Sequence, residues 1–274
     1  MAKKSLKIAF GSDLHLPERP SVRRQPALAF PAKADVLVLA GDVSGPDTTI
    51  EIATELALKH PCAQVILVAG NHEFYFHNID QQLKSFRDSC AELDRVHFLE
   101  NDTVQIEGVK FIGATLWSDF SVLGLTKESM EISARSIADF ELISTRGKER
   151  FTPLDAAARF RESCKFIQGE LSISEPQRTV VVTHFPPGLL THNTMFPRDA
   201  LTGYFQANVQ HLIDEFQPAV WIYGHNHFSQ DVLSGQTRIV SNQLGYPREE
   251  HIIPRYDPQK LILVETGTDH DVKL

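Results

Sequence analysis

Eight side chains spread along the chain have the types needed for metal-assisted chemistry: Asp13, His15, Asp42, Asn71, His72, His184, His225 and His227. Each follows a short apolar run: LKIAF leads into GSDLH, VLVLA into GDVSG, VILVA into GNHE, VVV into THFPP and VWIY into GHNH. Setting His72 aside leaves two Asp, four His and one Asn, too many for one tetrahedral zinc but suited to two five- or six-coordinate ions that share a ligand. A carboxylate has two oxygens and bridges naturally; Asp42 is the candidate, because Asp13 is already tied to His15 by the D-x-H spacing. Two divalent ions against two carboxylates leave about two positive charges, enough to hold a hydroxide and attract a phosphate.

Something must bring these residues together. The apolar runs, rich in Val, Ile and Leu and bounded by turn residues, predict buried strands, and the segments 48–59, 79–93, 152–171 and 204–216 have helical spacing. Thr152 with Asp155 three positions on, and Pro153 in the first turn, marks the start of the third helix. Strand and helix alternate, which predicts largely parallel sheet with helices on its faces. The carboxyl ends of the strands of an open α/β sheet face one crevice, where ligands far apart in sequence can meet. In an extended segment residues i and i+2 point the same way, so Asp13 with His15, and His225 with His227, are expected to act as claws. Residues 103–116 predict a hairpin turning at Glu107 and Gly108, and the stretch from Asp231 to Glu265 holds three more short strands, so the sheets should be mixed.

Bulk properties set wider limits. With 274 residues, 42% of them hydrophobic, the chain can bury a sizeable core, and a single domain over 1–274 is expected, with 118–150 as a lid or cap segment. The formal net charge of −8 weighs against a broad nucleic-acid or anionic-membrane surface, but not against a local phosphate site. Cys62, Cys90 and Cys164 show no pairing pattern and read as core thiols in a reducing compartment. The apolar run at the start is too short for a signal peptide, and no stretch approaches a membrane span, so a soluble cytoplasmic protein is expected.

Taken singly, each motif has an ordinary reading as a turn, a helix cap or a packed histidine. The ordered set D13-L-H15, G41-D42-V-S-G45, G70-N71-H72-E73, T183-H184 and G224-H225-N226-H227 resembles the calcineurin-like metallophosphoesterase superfamily, and GATLWSDF and SNQLGYP are similar to stretches of its bacterial-type members. The resemblance implies a four-layer α/β/β/α sandwich of two mixed sheets flanked by helices, with a dinuclear metal centre at the sheet ends. By that pattern Asp13, His15, Asp42 and His227 hold one metal, and Asp42, Asn71, His184 and His225 the other. Manganese or iron is expected, with zinc, cobalt and nickel also compatible with these donors.

Two such ions lower the pKa of a bridging water, and the resulting hydroxide attacks phosphorus in line. Adjacent residues diverge, so with Asn71 on the metal His72 faces the substrate, where it can assist the leaving group; the resemblance implies the same role. Asp42 and His72 are thus the expected catalytic pair. The substrate is expected to be a small phosphate monoester or diester, shaped by surrounding loops. Phe74, Tyr75, Phe76 and His77 offer either a stacking surface or core packing, and His192, Asn193 and Arg198 lie on a long loop. Arg135 and Arg146 in the cap segment read as a solvated helix face. Two alternatives use the same motifs: a catalytically silent protein-binding scaffold, which predicts lost ligands, and a nuclease, against which the acidic balance weighs.

Overall fold

The computed structural model describes residues 5–16, 29–145, 149–249 and 254–267. Strands β1 (Ser5–Gly11), β2 (Val36–Ala40), β3 (Gln64–Val68) and β4 (Val96–Phe98) run parallel, with β11 (Leu261–Glu265) antiparallel on the outer edge of β1. A second sheet has the order β5 (Asp102–Ile106), β6 (Val109–Ala114), β7 (Thr179–Thr183), β8 (Val220–Tyr223), β10 (Thr237–Ser241), β9 (Asp231–Ser234), antiparallel only at its two edge pairs. The expected hairpin is β5–β6, with Glu107 and Gly108 at positive φ between its strands.

The central strands read as unbroken apolar runs because both of their faces are buried. Leu6, Ile8, Phe10, Val36 and Val38 meet Phe111, Val180, Val182 and Ile222 in a core between the sheets. Residues of opposite parity, such as Leu37, Leu39 and Leu67 on one sheet and Val181, Trp221 and Ile239 on the other, face outward under helices. Helices α1 (Thr49–Lys59) and α2 (Ile79–Ala91) cover the first sheet, and α5 (Pro153–Ser172) and α7 (Gln210–Phe216) the second. These are the four layers expected. Helix α5 starts on the capping box read from the sequence, Thr152 accepting from the Asp155 amide and the Asp155 carboxylate from the Thr152 amide.

Several details differ from the sequence reading. The helix expected over 204–216 is two pieces, α6 (Thr202–Phe205) and α7, because the amides of Ala207 and Val209 bond the carbonyls of Pro186 and Pro187 rather than a preceding helical turn. Residues 118–145 form α3 (Thr126–Ser136) and α4 (Asp139–Leu142), and the segment is hydrogen-bonded to the chain following GNHE: Phe76 donates to Leu142, Ile79 to Ser144, and Ser144 back to His77. Arg135 lies beside Glu131 on the exposed face of α3, while Arg146 lies outside the described residues. Cys62 is exposed rather than a core thiol, Cys90 is buried and Cys164 is half-buried; all three are free. Among the described residues no helix is long and apolar enough to cross a membrane.

Candidate metal centre

Each strand end delivers its ligand-type residue to one crevice. Asp13 and His15 follow β1, Asp42 follows β2, Asn71 follows β3, His184 follows β7, and His225 and His227 follow β8. The claws are not extended, however. Asp13, His15, Asp42, His225 and His227 have φ of 52°, 43°, 53°, 76° and 51°. They lie in the left-handed region, which Asp and His visit more readily than most residues, so the chain turns at each ligand instead of alternating. Glycines make room for this crowding. A Cβ on Gly70 would sit 2.1 Å from Asp42 Oδ1, and one on Gly224 would sit 2.7 Å from Asp13 Oδ2. Gly224 is thus required by close approach to Asp13.

The side chains form two linked groups around Asp42. His15 Nε2 is 3.0 Å from His227 Nε2 and 3.9 Å from Asp42 Oδ2, and His227 Nε2 is 3.4 Å from Asp13 Oδ1. On the other side, His184 Nε2 is 3.1 Å from Asn71 Oδ1 and 3.5 Å from Asp42 Oδ1. The His225 ring is 5.0 Å from that of His184 and stacks on Phe185 at 3.9 Å between centroids. Its Nε2 is buried without a hydrogen-bond partner. Asn226 points away from both groups, its side chain bonding Thr191, Phe228 and Gln243.

The hydrogen-bond network assigns the lone pairs. His184 Nδ1 is 2.9 Å from the Ala40 carbonyl, which only accepts, so Nδ1 carries the proton and the neutral ring presents a bare Nε2. Asn71 Nδ2 donates to Asp139 Oδ1 at 2.9 Å, which turns Asn71 Oδ1 toward that same nitrogen. Likewise His227 Nδ1 is 2.6 Å from Glu249 Oε2, so the neutral ring keeps its proton there and turns a bare Nε2 toward His15. Electron pairs facing each other at this range need a cation or a proton between them. Cis ligands on an ion bound at about 2.1 Å lie about 3.0 Å apart, so the donor set and its spacing fit divalent metal.

Protonation follows the same geometry. Burial opposes charge on His184, but Asp42 beside it raises its pKa to about 9; for His227, burial is overcome by the hydrogen bonds its ring donates to Asp13 and Glu249, which raise it to about 10. Burial depresses His15 to about 4 and holds His225 well below its ordinary value, with the charge of His184 adding to the effect. Burial would raise Asp42, yet the neighbouring His72, His184 and His15 hold it well below the carboxylate range. For Asp13 too burial acts to raise the pKa, but the hydrogen bond and charge of His227 lower it.

His72 lies at the edge of the cluster, its Nε2 3.8 Å from Asp42 Oδ2 and 3.2 Å from the Tyr246 hydroxyl, with its ring against those of Tyr75 and His15. Glu73 is fully buried below, accepting from the amides of Asp42, Val43 and Gly70 at 2.9, 2.7 and 2.7 Å; burial and the nearby Asp42 raise its pKa to about 6. A cavity of about 560 Å³ opens over Asp42, Asn71, His72, His225 and His227, within the range of small-molecule sites. Its walls include Ser136–Asp139 of the α3–α4 segment, the apolar Phe196, Pro197, Leu201 and Phe205, and Arg248. Of the loop residues singled out from sequence, His192 and Asn193 line it, but they are tied to Phe196 and Asn226, while Arg198 points elsewhere. The aromatic quartet divides: Phe74 is core, Tyr75 lines the cavity, Phe76 is exposed, and His77 is half-buried with its Nδ1 2.9 Å from the Tyr75 carbonyl. Sequence reasoning missed Asp139, Tyr204 and Glu249, which follow no apolar strand with a recognisable motif, and gave no role to Tyr246, although that residue, after β10, lies in the SNQLGYP stretch.

The calcineurin-like phosphoesterase family model matches residues 6–229. An uncharacterized protein, L509, of Acanthamoeba polyphaga mimivirus is 26% identical over 268 residues, covering 89% of this chain and 92% of its own. The crystal structure of phosphopantetheinyl hydrolase from Mycobacterium tuberculosis superposes with a TM-score of 0.71 at 21% identity over 100% of both chains. A dimetal phosphatase from Danio rerio superposes at 0.52 and 14% identity, over 96% of this chain and 99% of that one. With most of its length inside the family match and the ligand-type residues of its strand ends gathered in one crevice, the chain belongs to the calcineurin-like phosphoesterases, a family of metal-dependent hydrolases.

Proposed function

We propose that the protein is a dinuclear metal-dependent hydrolase of a small phosphate monoester or diester. What carries this reading is the convergence of His15 Nε2 and His184 Nε2 on opposite oxygens of one carboxylate, Asp42, with His227 Nε2 against His15 and Asp13 and an unpartnered His225 Nε2 beside them. Asp13, His15, Asp42 and His227 would hold one ion; Asp42, Asn71, His184 and His225 would hold the other. Asp42 suits the shared position because its Oδ2 faces His15 and its Oδ1 faces His184. Manganese and iron suit these donors best, with zinc, cobalt or nickel compatible. Two bound divalent cations supply a nucleophilic water at neutral pH and neutralise developing phosphoryl charge.

The chain's own residues supply the rest. His184 and His227 are held in one tautomer by Ala40 and Glu249, so their Nε2 atoms stay available as ligands. His72 is the general acid, giving the Nε2 proton to the leaving oxygen, with the Tyr246 hydroxyl positioned to orient that nitrogen. His72→Ala should keep both metals and lose about 10²- to 10⁴-fold in kcat on a poor leaving group, with a smaller loss on p-nitrophenyl phosphate. Equal losses on both substrates would remove His72 from the proton transfer.

The deciding experiment is a hydrolysis screen after reconstitution with each metal, comparing p-nitrophenyl phosphate, bis-p-nitrophenyl phosphate, a nucleotide panel and a phosphopantetheinyl ester. The last is included because of the activity named for the Mycobacterium structure. Turnover of a small ester is expected. Silence with every metal would favour the scaffold reading, and salt-sensitive cleavage of DNA or RNA would favour a nuclease.

A further inference from the structure

Asp139 lies in the cap segment, outside the family's ligand motifs, yet its carboxylate is completely buried against the candidate centre. Its Oδ1 accepts from Asn71 Nδ2 at 2.9 Å and from the Tyr75 hydroxyl at 2.9 Å, and its Oδ2 accepts from the Tyr204 hydroxyl. These donors come from two separate parts of the chain, the turn bounded by Asn71 and Tyr75 and helix α6, so the carboxylate is held from two sides. A buried acidic group costs free energy unless its hydrogen bonds are complete, and here both oxygens are used.

The contact with Asn71 matters most. An asparagine amide binds a cation only through its oxygen; rotated by half a turn, it presents N–H groups, which repel one. Asp139 accepts and cannot donate in its ionised form, so it holds the amide nitrogen on its own side and leaves Oδ1 facing His184. The same segment is fastened next to Asn71 by the backbone bonds Phe76 to Leu142 and Ser144 to His77.

We propose that Asp139 is a positioning residue that orients Asn71 as a metal ligand, so that docking of segment 118–145 and affinity at the Asn71-containing metal site are thermodynamically linked. The inference rests on the dinuclear reading above. It gives the cap a role in assembling the centre besides shaping the cavity: releasing the segment frees the amide to rotate, and filling the site tightens the segment.

The test is a calorimetric titration of the metal-stripped full-length protein with Mn²⁺, on wild type, Asp139→Asn and Asp139→Ala. Wild type should bind two ions. Both variants should lose about 10- to 100-fold in affinity for one ion while keeping the affinity of the other, the alanine variant losing more. A residue with only a structural role would lower the melting temperature and leave both affinities alone. Hydrogen exchange on the wild type needs no variant: Mn²⁺ should slow exchange across Ile137–Ser144. A wild type that binds fewer than two ions overturns the dinuclear reading and this inference with it. Two ions bound with unchanged affinities by a folded variant, or exchange in that segment indifferent to Mn²⁺, overturn this inference alone.

Discussion

Asp42→Asn should lower kcat by on the order of 10³-fold, about 4 kcal/mol of transition-state stabilisation, and reduce the metal bound from two ions to one. The substitution is nearly isosteric, and asparagine tolerates the left-handed backbone at this position, φ 53°, so the fold should survive. What changes is the donor set. Asp42 directs one oxygen toward His184 and the other toward His15, whereas an amide offers one oxygen and one N–H group. One side of the centre then faces a donor where it needs an electron pair, and a negative charge that offsets the histidines is lost. Metal analysis of the dialysed variant together with steady-state kinetics on p-nitrophenyl phosphate reads both effects. A variant holding two ions and turning over at the wild-type rate would remove Asp42 from the bridging position.

Glu73→Ala should be the most destabilising single change near the site, on the order of 3–6 kcal/mol. Glu73 is fully buried, and its two oxygens accept from three backbone amides and the Thr49 hydroxyl. Those amides belong to Asp42, Val43 and Gly70, in the two loops that carry Asp42 and Asn71. Truncation leaves three N–H groups buried without acceptors, at about 1–3 kcal/mol each before any relaxation or entry of water. For a chain of this size that corresponds to a fall of roughly 10 °C or more in Tm. Thermal and urea unfolding of the apo-protein measure it directly, and a midpoint within about 2 °C of wild type would sink the argument.

The sheet architecture, and the convergence of the candidate ligand residues at its strand ends, were legible in the sequence for the same reason. Every ligand follows an apolar run, and a parallel strand buried on both faces leaves no polar alternation to confuse the reading, as in VLVLA followed by Asp42. The local backbone was not legible. Reading Asp13-x-His15 as extended assumed that the strand continues, but β1 ends at Gly11 and both residues turn with positive φ. Nor could residue types locate Asp139 or Glu249: they lie in a helical insertion and in a short 3-10 turn, and only tertiary contacts bring them beside Asn71 and His227. The break between α6 and α7 has a similar origin, because the carbonyls that hold Ala207 and Val209 lie about twenty residues earlier in the chain.

The two sheets contribute unequally to one centre: Asp13, His15, Asp42 and Asn71 come from the first, and His184, His225 and His227 from the second. The cluster therefore works as an alignment gauge across a sliding joint. A shear of one sheet over the other by about 1 Å would pull His184 out of register with Asn71 and His227 out of register with Asp13, a misplacement of the size that costs enzymes about 10²-fold. The tolerance of the centre is set behind it, by the close-packed interlayer in which Phe10, Val38, Phe111 and Val182 interlock. Changes in that interlayer act on the site as changes in calibration, even where no ligand is touched.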